Sequence, residues 1–291
     1  MSRSGQAGLV SPMPDLDAAR RVVACGGFAV NVLDIGQGPV VLLLHGFPGS
    51  SSDWRHQIPA LLAAGYRVVA PDLLGLGRSA KPPELEPYMA AREIERMLEL
   101  VTRLGVATMM VVGHDRGAGV AWGLAALHPE RVEKLVALTV GHPNTARDIS
   151  VEQREKSWYM LLFQLDGAET LLRQDDWRLF RDLLRHHPGT PEWLSHLAPE
   201  GALSAALNWY RANRHPAAPP RPLLPDVTVP AFGLYTLGDH YLLPAYMLES
   251  HRFVRRRWRC ERVDGVSHFM MLDRPAEVTR LILDFLAEGG S

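Results

Sequence analysis

Two cysteines in 291 residues, no excess of either charge and no long apolar run are what this sequence lacks. Cys25 and Cys260 give neither a disulfide framework nor the paired spacing of a metal site, which points to a reducing compartment. With 31 basic against 32 acidic residues the net charge is −1, so no global field directs the chain toward nucleic acid or an anionic membrane. A membrane-spanning helix needs roughly 20 consecutive apolar residues, and no run approaches that. The opening "MSRSGQAGLVSPMPD" has no apolar centre of the kind a signal peptide carries, so residues 1–15 read as a flexible tail. These absences predict a cytoplasmic protein with neither nucleic-acid nor membrane partners; a homo-oligomer stays open.

What is present is an alternation of strand and helix signals without internal repeats. "PVVLLLHG" (39–46), "YRVVAPD" (66–72), "TMMVVGHD" (108–115) and "VEKLVALTVG" (132–141) are short continuous apolar runs. Strands buried on both faces of a parallel sheet have this appearance. Helical segments fall between them at 53–65, 89–105 and 117–130; the second repeats Ile94, Met97, Leu98, Val101 and Leu104 along one face. The alternation predicts an open α/β sheet. It breaks after Gly141. From about 147 to 218 the chain is helix-like and rich in Trp, Leu and Arg. A proline-rich return, "HPAAPPRPLLPDVTVP" (215–230), leads back to strand runs at 231–239 and 259–268 and a closing amphipathic helix at 274–289. The expected organisation is a core of 16–146 and 226–291 with a helical cap, 147–225, over the carboxyl edge of the sheet, where open α/β sheets place their ligands.

The chemistry collects at strand ends. In "MMVVGHDRGAGVAW" a strand runs into Gly113-His114-Asp115-Arg116-Gly117 and then into a helix. Small residues around a sharp strand–turn–helix usually frame a serine nucleophile; here the centre is Asp115. A carboxylate suits displacement at an sp³ carbon, leaving an alkyl ester. "HGFPG" (45–49) ends the earlier strand, and the backbone N–H groups of Phe47 and Arg116 make a candidate oxyanion hole. His268, in "DGVSHF", is the candidate base, and Asp239, in "YTLGDHYL", its orienting acid. Asp264 and Asp273 flank His268 too closely in sequence for that role. After the run at 132–141 the chain offers His142 and Asn144 and no acid before Asp148, so no rival acid stands there. The five arginines of "HRFVRRRWRC" (251–260) read as a solvated helix face, and Asp72, beside "GLGRS", as structural.

"HGFPGSSSDW", "PDLLGLGRS", "GHDRGAGVAW", "LGDHYL" and "GVSHF" together resemble the α/β-hydrolase-fold epoxide hydrolases and their dehalogenase cousins, from about residue 20 onward. The resemblance implies an α/β-hydrolase fold: a mostly parallel sheet flanked by helices with an inserted cap. It implies that Asp115, His268 and Asp239 form a triad, and that Tyr159, in "SWYMLLFQLDGAE", and Tyr210, in "NWYRAN", occupy the lid-tyrosine positions of microbial epoxide hydrolases. Such phenols would donate to the oxygen of an opening epoxide. Trp54, Trp158, Trp209 and Phe269 are expected to line the substrate pocket. The implied reaction is hydrolysis of a small-molecule epoxide by water to a vicinal diol, through a hydroxyalkyl-aspartate ester and without metal or organic cofactor. Two alternatives remain. Hydrolytic dehalogenation is disfavoured by Arg116, where haloalkane dehalogenases usually carry Trp. Gly119 and Tyr159 disfavour it too, where fluoroacetate dehalogenases tend to carry Arg and Trp. The other alternative is a non-catalytic binder on the same fold.

Overall fold

The apolar runs become strands because alternate residues of each find a hydrophobic layer on opposite faces of one sheet. In this computed structural model, which describes residues 15–147, 149–213 and 222–289, the strands are β1 (Arg20–Cys25), β2 (Phe28–Ile35), β3 (Val40–Leu44), β4 (Arg67–Pro71), β5 (Met109–His114), β6 (Val132–Leu138), β7 (Ala231–Tyr235) and β8 (Trp258–Arg262). The expected tail as far as residue 14, Asp148, and 214–221 at the head of the proline-rich return lie outside the described residues. The sheet order is β1-β2-β4-β3-β5-β6-β7-β8. The six strands from β4 to β8 pair in parallel, while β1 and β2 add an antiparallel edge.

The antiparallel pairing of that edge was not anticipated. Its signal was Gly26-Gly27 between two apolar stretches: both glycines are left-handed, with φ of 58° and 79°, the requirement of a two-residue hairpin turn whose twist matches the strands.

Helices cover both faces. On one side α1 (Gln57–Ala63) and the C-terminal α11 (Pro275–Ala287) bury Val41, Leu43, Val68, Ala70, Val112 and Val136. On the other, α2 (Ala90–Arg103) and α3 (Arg116–Leu127) bury Leu42, Leu44, Val69, Val111 and Leu135. Between β6 and β7 the chain leaves the sheet for α4 (Val151–Lys156), α5 (Tyr159–Leu162), α6 (Ala168–Leu183), α7 (Thr190–Leu197) and α8 (Ala202–Asn213). Helical backbone is lost inside α6 at Gln174–Trp177. Apart from Trp158, the aromatic side chains of this block join the α2/α3 layer, so the inserted helices add to an existing core. Two short helices, α9 (Pro244–Leu248) and α10 (Met270–Asp273), complete the chain.

The arginine-rich stretch differs from expectation. A short 3-10 turn (Glu249–Phe253) and a bend lead directly into the edge strand β8. Four of the five arginines are paired: Arg252 with Glu249, Arg255 with Asp226, Arg257 with Glu288, and Arg259 with Glu261 and Glu288. Charged side chains on an exposed sheet edge also discourage pairing with a second chain.

Candidate active site

The ends of β3, β5, β7 and β8 converge on Asp115. Its backbone is left-handed, φ 52° and ψ −124°, at the head of α3, an uncommon state for a residue with a Cβ. The neighbours explain why the turn can be so tight. A Cβ on Gly117 would sit 2.3 Å from the Leu44 carbonyl oxygen, and one on Gly46 would sit 2.4 Å from the Asp115 Cβ. Only glycine allows β3, the elbow and α3 to approach this closely.

The turn after β3 meets the carboxylate. The Phe47 N–H donates to Asp115 Oδ1 at 2.9 Å, and the Phe47–Pro48 peptide is cis. Arg116 occupies the first helical position, so its N–H lacks a partner within the helix. His45 supports the turn from below: its Nδ1 donates to the Gly46 carbonyl, and its Nε2 accepts the Leu73 N–H, both at 2.9 Å. Burial lowers the His45 pKa to about 4, so this brace stays neutral. Asp72, structural as expected, accepts from Asn31, Ser51 and the Arg78 N–H.

His268 reaches between two carboxylates. Its Nδ1 donates to Asp239 Oδ2 at 2.7 Å, and its Nε2 lies 3.4 Å from Asp115 Oδ2. Asp239 is fixed by the N–H groups of Tyr241 and Leu242 on its other oxygen, at 2.8 and 3.0 Å. Lys156 Nζ at the end of α4 donates to its backbone carbonyl. Burial opposes charge on all three groups, yet mutual attraction prevails. Asp115 is held well below the usual carboxylate range and Asp239 below it, while Asp239 and Asp115 raise His268 far above an ordinary imidazole. In this state the site is a carboxylate–imidazolium–carboxylate array.

His114 and Tyr241 had no individual signal in the sequence. His114 Nε2 donates to the His268 carbonyl at 3.0 Å, tying the residue before Asp115 to the loop that carries His268. The Tyr241 ring stands 5.1 Å from His268 and 5.6 Å from Tyr159. Its place two residues after Asp239 was the only pointer to it.

Tyr159 on α5 and Tyr210 on α8 are both buried, with ring centroids 6.0 Å apart. Tyr210 meets the Phe47 ring edge-on at 5.2 Å. Both therefore belong to the aromatic cluster that touches the Asp115 turn and His268. Phe269 is next to His268, ring to ring at 5.3 Å. Trp209 lies under the Arg116 guanidinium, 4.8 Å away. Arg116 is buried and donates from Nη2 to the Leu74 carbonyl, and among the described residues its Nε and Nη1 have no hydrogen-bond partner.

Two of the expected lining residues lie elsewhere. Trp54 is fully buried in the layer under α1 and α11, on the face opposite the cluster of Tyr159 and Tyr210, because the 3-10 turn Ser51–Trp54 directs it inward. Trp158 is 45% exposed, since it precedes α5 on the outer side. Among the described residues, no group of three or more His, Cys, Asp or Glu side chains could hold a metal ion. Nor is any helix long and apolar enough to cross a membrane.

Comparison with known proteins agrees with this architecture. Residues 39–275 match the family described as alpha/beta hydrolase fold. The AB hydrolase superfamily protein YfhM of Bacillus subtilis (strain 168) is 34% identical over 278 residues, spanning 91% of this chain and 96% of that protein. Epoxide hydrolase A of Mycobacterium tuberculosis (strain ATCC 25618 / H37Rv) is 30% identical, spanning 91% of this chain and 96% of its own length. The solved structure of Bacillus megaterium epoxide hydrolase in complex with an inhibitor superposes with a TM-score of 0.82 at 26% identity, covering 92% of this chain and all of that one. With bifunctional epoxide hydrolase 2 of Sus scrofa the identity is 30%, and the chain spans about half, 53%, of that protein's length. By fold, by sequence and by the order of its strand-end residues, this chain belongs to the α/β-hydrolase-fold family, among relatives named epoxide hydrolases.

Proposed function

We propose that this protein hydrolyses a small-molecule epoxide to a vicinal diol, with Asp115 as nucleophile and residues 147–225 as a cap over the site. The observation that carries the reading is the treatment of one carboxylate. Oδ1 is held at 2.9 Å by the Phe47 N–H, while Oδ2 faces His268 Nε2 at 3.4 Å. One oxygen is thus already where an oxyanion would be stabilised, and the other is the attacking atom.

In the first step Oδ2 attacks an epoxide carbon and the ring C–O bond breaks. The alkoxide takes a proton from the phenol of Tyr159 or Tyr210. Esterification removes the Asp115 charge, one of the influences that raise His268. His268 then releases its proton, which restores the phenol. In the second step neutral His268 takes a proton from water, and the hydroxide adds to Cγ of the ester. The anion develops on Oδ1, against the N–H groups of Phe47 and Arg116. Collapse breaks the ester C–O bond. The departing diol oxygen takes the proton of the new carboxyl group, and Asp115 and His268 are again an ion pair. Asp239 keeps the Nδ1 proton in place throughout, so Nε2 is the nitrogen that works.

His268→Gln tests the scheme. Incubated with a panel of aryl and alkyl epoxides, the variant should gain the mass of a whole epoxide on the peptide that contains Asp115. An adduct equal to substrate minus hydrogen halide, formed from haloacids or haloalkanes instead, would make the protein a dehalogenase. A turned-over epoxide that leaves no adduct on this variant would contradict the ester.

A further inference from the structure

Asp53 takes no part in the proposed reaction, yet it is buried to 1% exposure at the junction of core and cap. Its Oδ1 accepts the indole N–H of Trp193 on α7 at 3.0 Å. Its Oδ2 lies directly over Gly49, where an added Cβ would sit 1.6 Å from it. No cation pairs with it among the described residues, for Arg55 turns instead to Glu192 on α7 at 3.4 Å. The charges that face the carboxyl are Arg55 beside its own turn, Glu192 on α7, and Asp72 after β4; Asp72 is itself held by Asn31, Ser51 and the Arg78 backbone.

Beyond the indole, His187 stacks on Trp193 at 4.9 Å and pairs with Asp273 at 3.1 Å. Phe269 packs on the other side at 4.4 Å and stands 5.3 Å from His268. The Asp53–Trp193 contact between core and cap therefore leads, through two rings, to the base of the proposed reaction.

A buried carboxyl with one neutral donor and no cation is costly to ionise. Parting α7 from the core would hydrate it and remove that cost. The closed junction must then bind the proton more tightly than the open one, and by linkage the proton favours closure. We propose that Asp53 and Trp193 form a proton-linked latch between core and cap, closed most firmly with Asp53 protonated and loosened by its ionisation.

Burial, offset only in part by the Trp193 N–H, pushes Asp53 from an ordinary 3.8 up to about 7. With the junction open and the carboxyl hydrated, its pKa returns toward 3.8. The proton's support for closure is complete below the open-state value, declines as pH rises between the two, and is gone above the closed-state value. The latch thus weakens on going from acid to neutral solution, whichever bond is cleaved at Asp115.

Fluorine NMR of the whole chain labelled with 5-fluorotryptophan tests it without any substrate. Seven resonances are expected, and Trp193→Phe identifies one by its loss. In the wild type the Trp193 resonance should titrate with one midpoint close to pH 7. Its shift between light and heavy water should grow above that midpoint, as the junction admits solvent. Asp53→Asn should abolish both changes and keep the low-pH position. His187→Gln, which removes the ring stacked on the indole, should leave both intact. A wild-type Trp193 resonance without titration would overturn the latch. So would a titration that survives Asp53→Asn or vanishes in His187→Gln. Should Asp53→Asn fail to fold, the wild type and His187→Gln still decide the matter.

Discussion

Asp239→Asn changes one atom at the back of the site, and the structure says how it should fail. Asp239 Oδ1 accepts the Tyr241 and Leu242 N–H groups, and Oδ2 accepts from His268 Nδ1 at 2.7 Å. An asparagine keeps the two backbone bonds with its single oxygen, which turns its NH₂ group toward Nδ1. A donor then faces a donor, and the imidazole must carry its proton on Nε2 instead. Nε2 is the atom that has to take a proton from water, so the second step loses its base. The lost charge matters as well. At an effective dielectric near 20, unit charges about 4 Å apart interact by about 4 kcal/mol. A loss of that size from the transition state corresponds to about a thousandfold in rate at 1.36 kcal/mol per decade. Alkylation of Asp115 uses no proton on Nε2 and should slow far less. Single-turnover kinetics with quench and intact-mass detection separate the steps: ester should appear quickly and decay about a thousandfold more slowly than in the wild type. Ester decay within tenfold of wild type, or alkylation slowed as much as hydrolysis, would refute the assignment of Asp239.

Two further outcomes follow from the same geometry. Tyr159→Phe and Tyr210→Phe should each slow pre-steady-state alkylation by about a hundredfold, the scale of a general acid, with ester hydrolysis little changed; equal alkylation rates in both variants and wild type would remove the phenols from the first step. Gly117→Ala should cost several kcal/mol and lower the melting temperature, because its Cβ would meet the Leu44 carbonyl oxygen at 2.3 Å, whereas Gly119→Ala, with open space around its Cβ, should melt like the wild type.

Much of the core was legible because parallel strands buried on both faces leave an unmistakable apolar signature. The runs at 39–46, 66–72, 108–115 and 132–141 became β3, β4, β5 and β6, and their ends carry His45, Asp72, Asp115 and the departure of the chain toward the cap. The β1/β2 hairpin escaped because its strands are partly exposed and short of apolar continuity, leaving only Gly26-Gly27 as a clue. The stretch 251–260 misled because arginines on an edge strand and on a helix face read alike one residue at a time.

The sequence by itself determined the order of Asp115, Asp239 and His268, the glycines that let the elbow close, and the chemical type of each group. Those properties are local: they follow from a turn's steric limits and from what a side chain can donate, accept or ionise. Tertiary structure alone decided which groups meet. It aimed His268 Nδ1 at Asp239 and its Nε2 at Asp115, and set Tyr241 and His114 around them. It sent Trp54 to the opposite face of the sheet and left Trp158 half exposed. It also buried Asp53 against Trp193, 140 residues away. Charge, burial and contact at these positions are sums over segments distant in the chain, so the folded packing fixes them and no local pattern does.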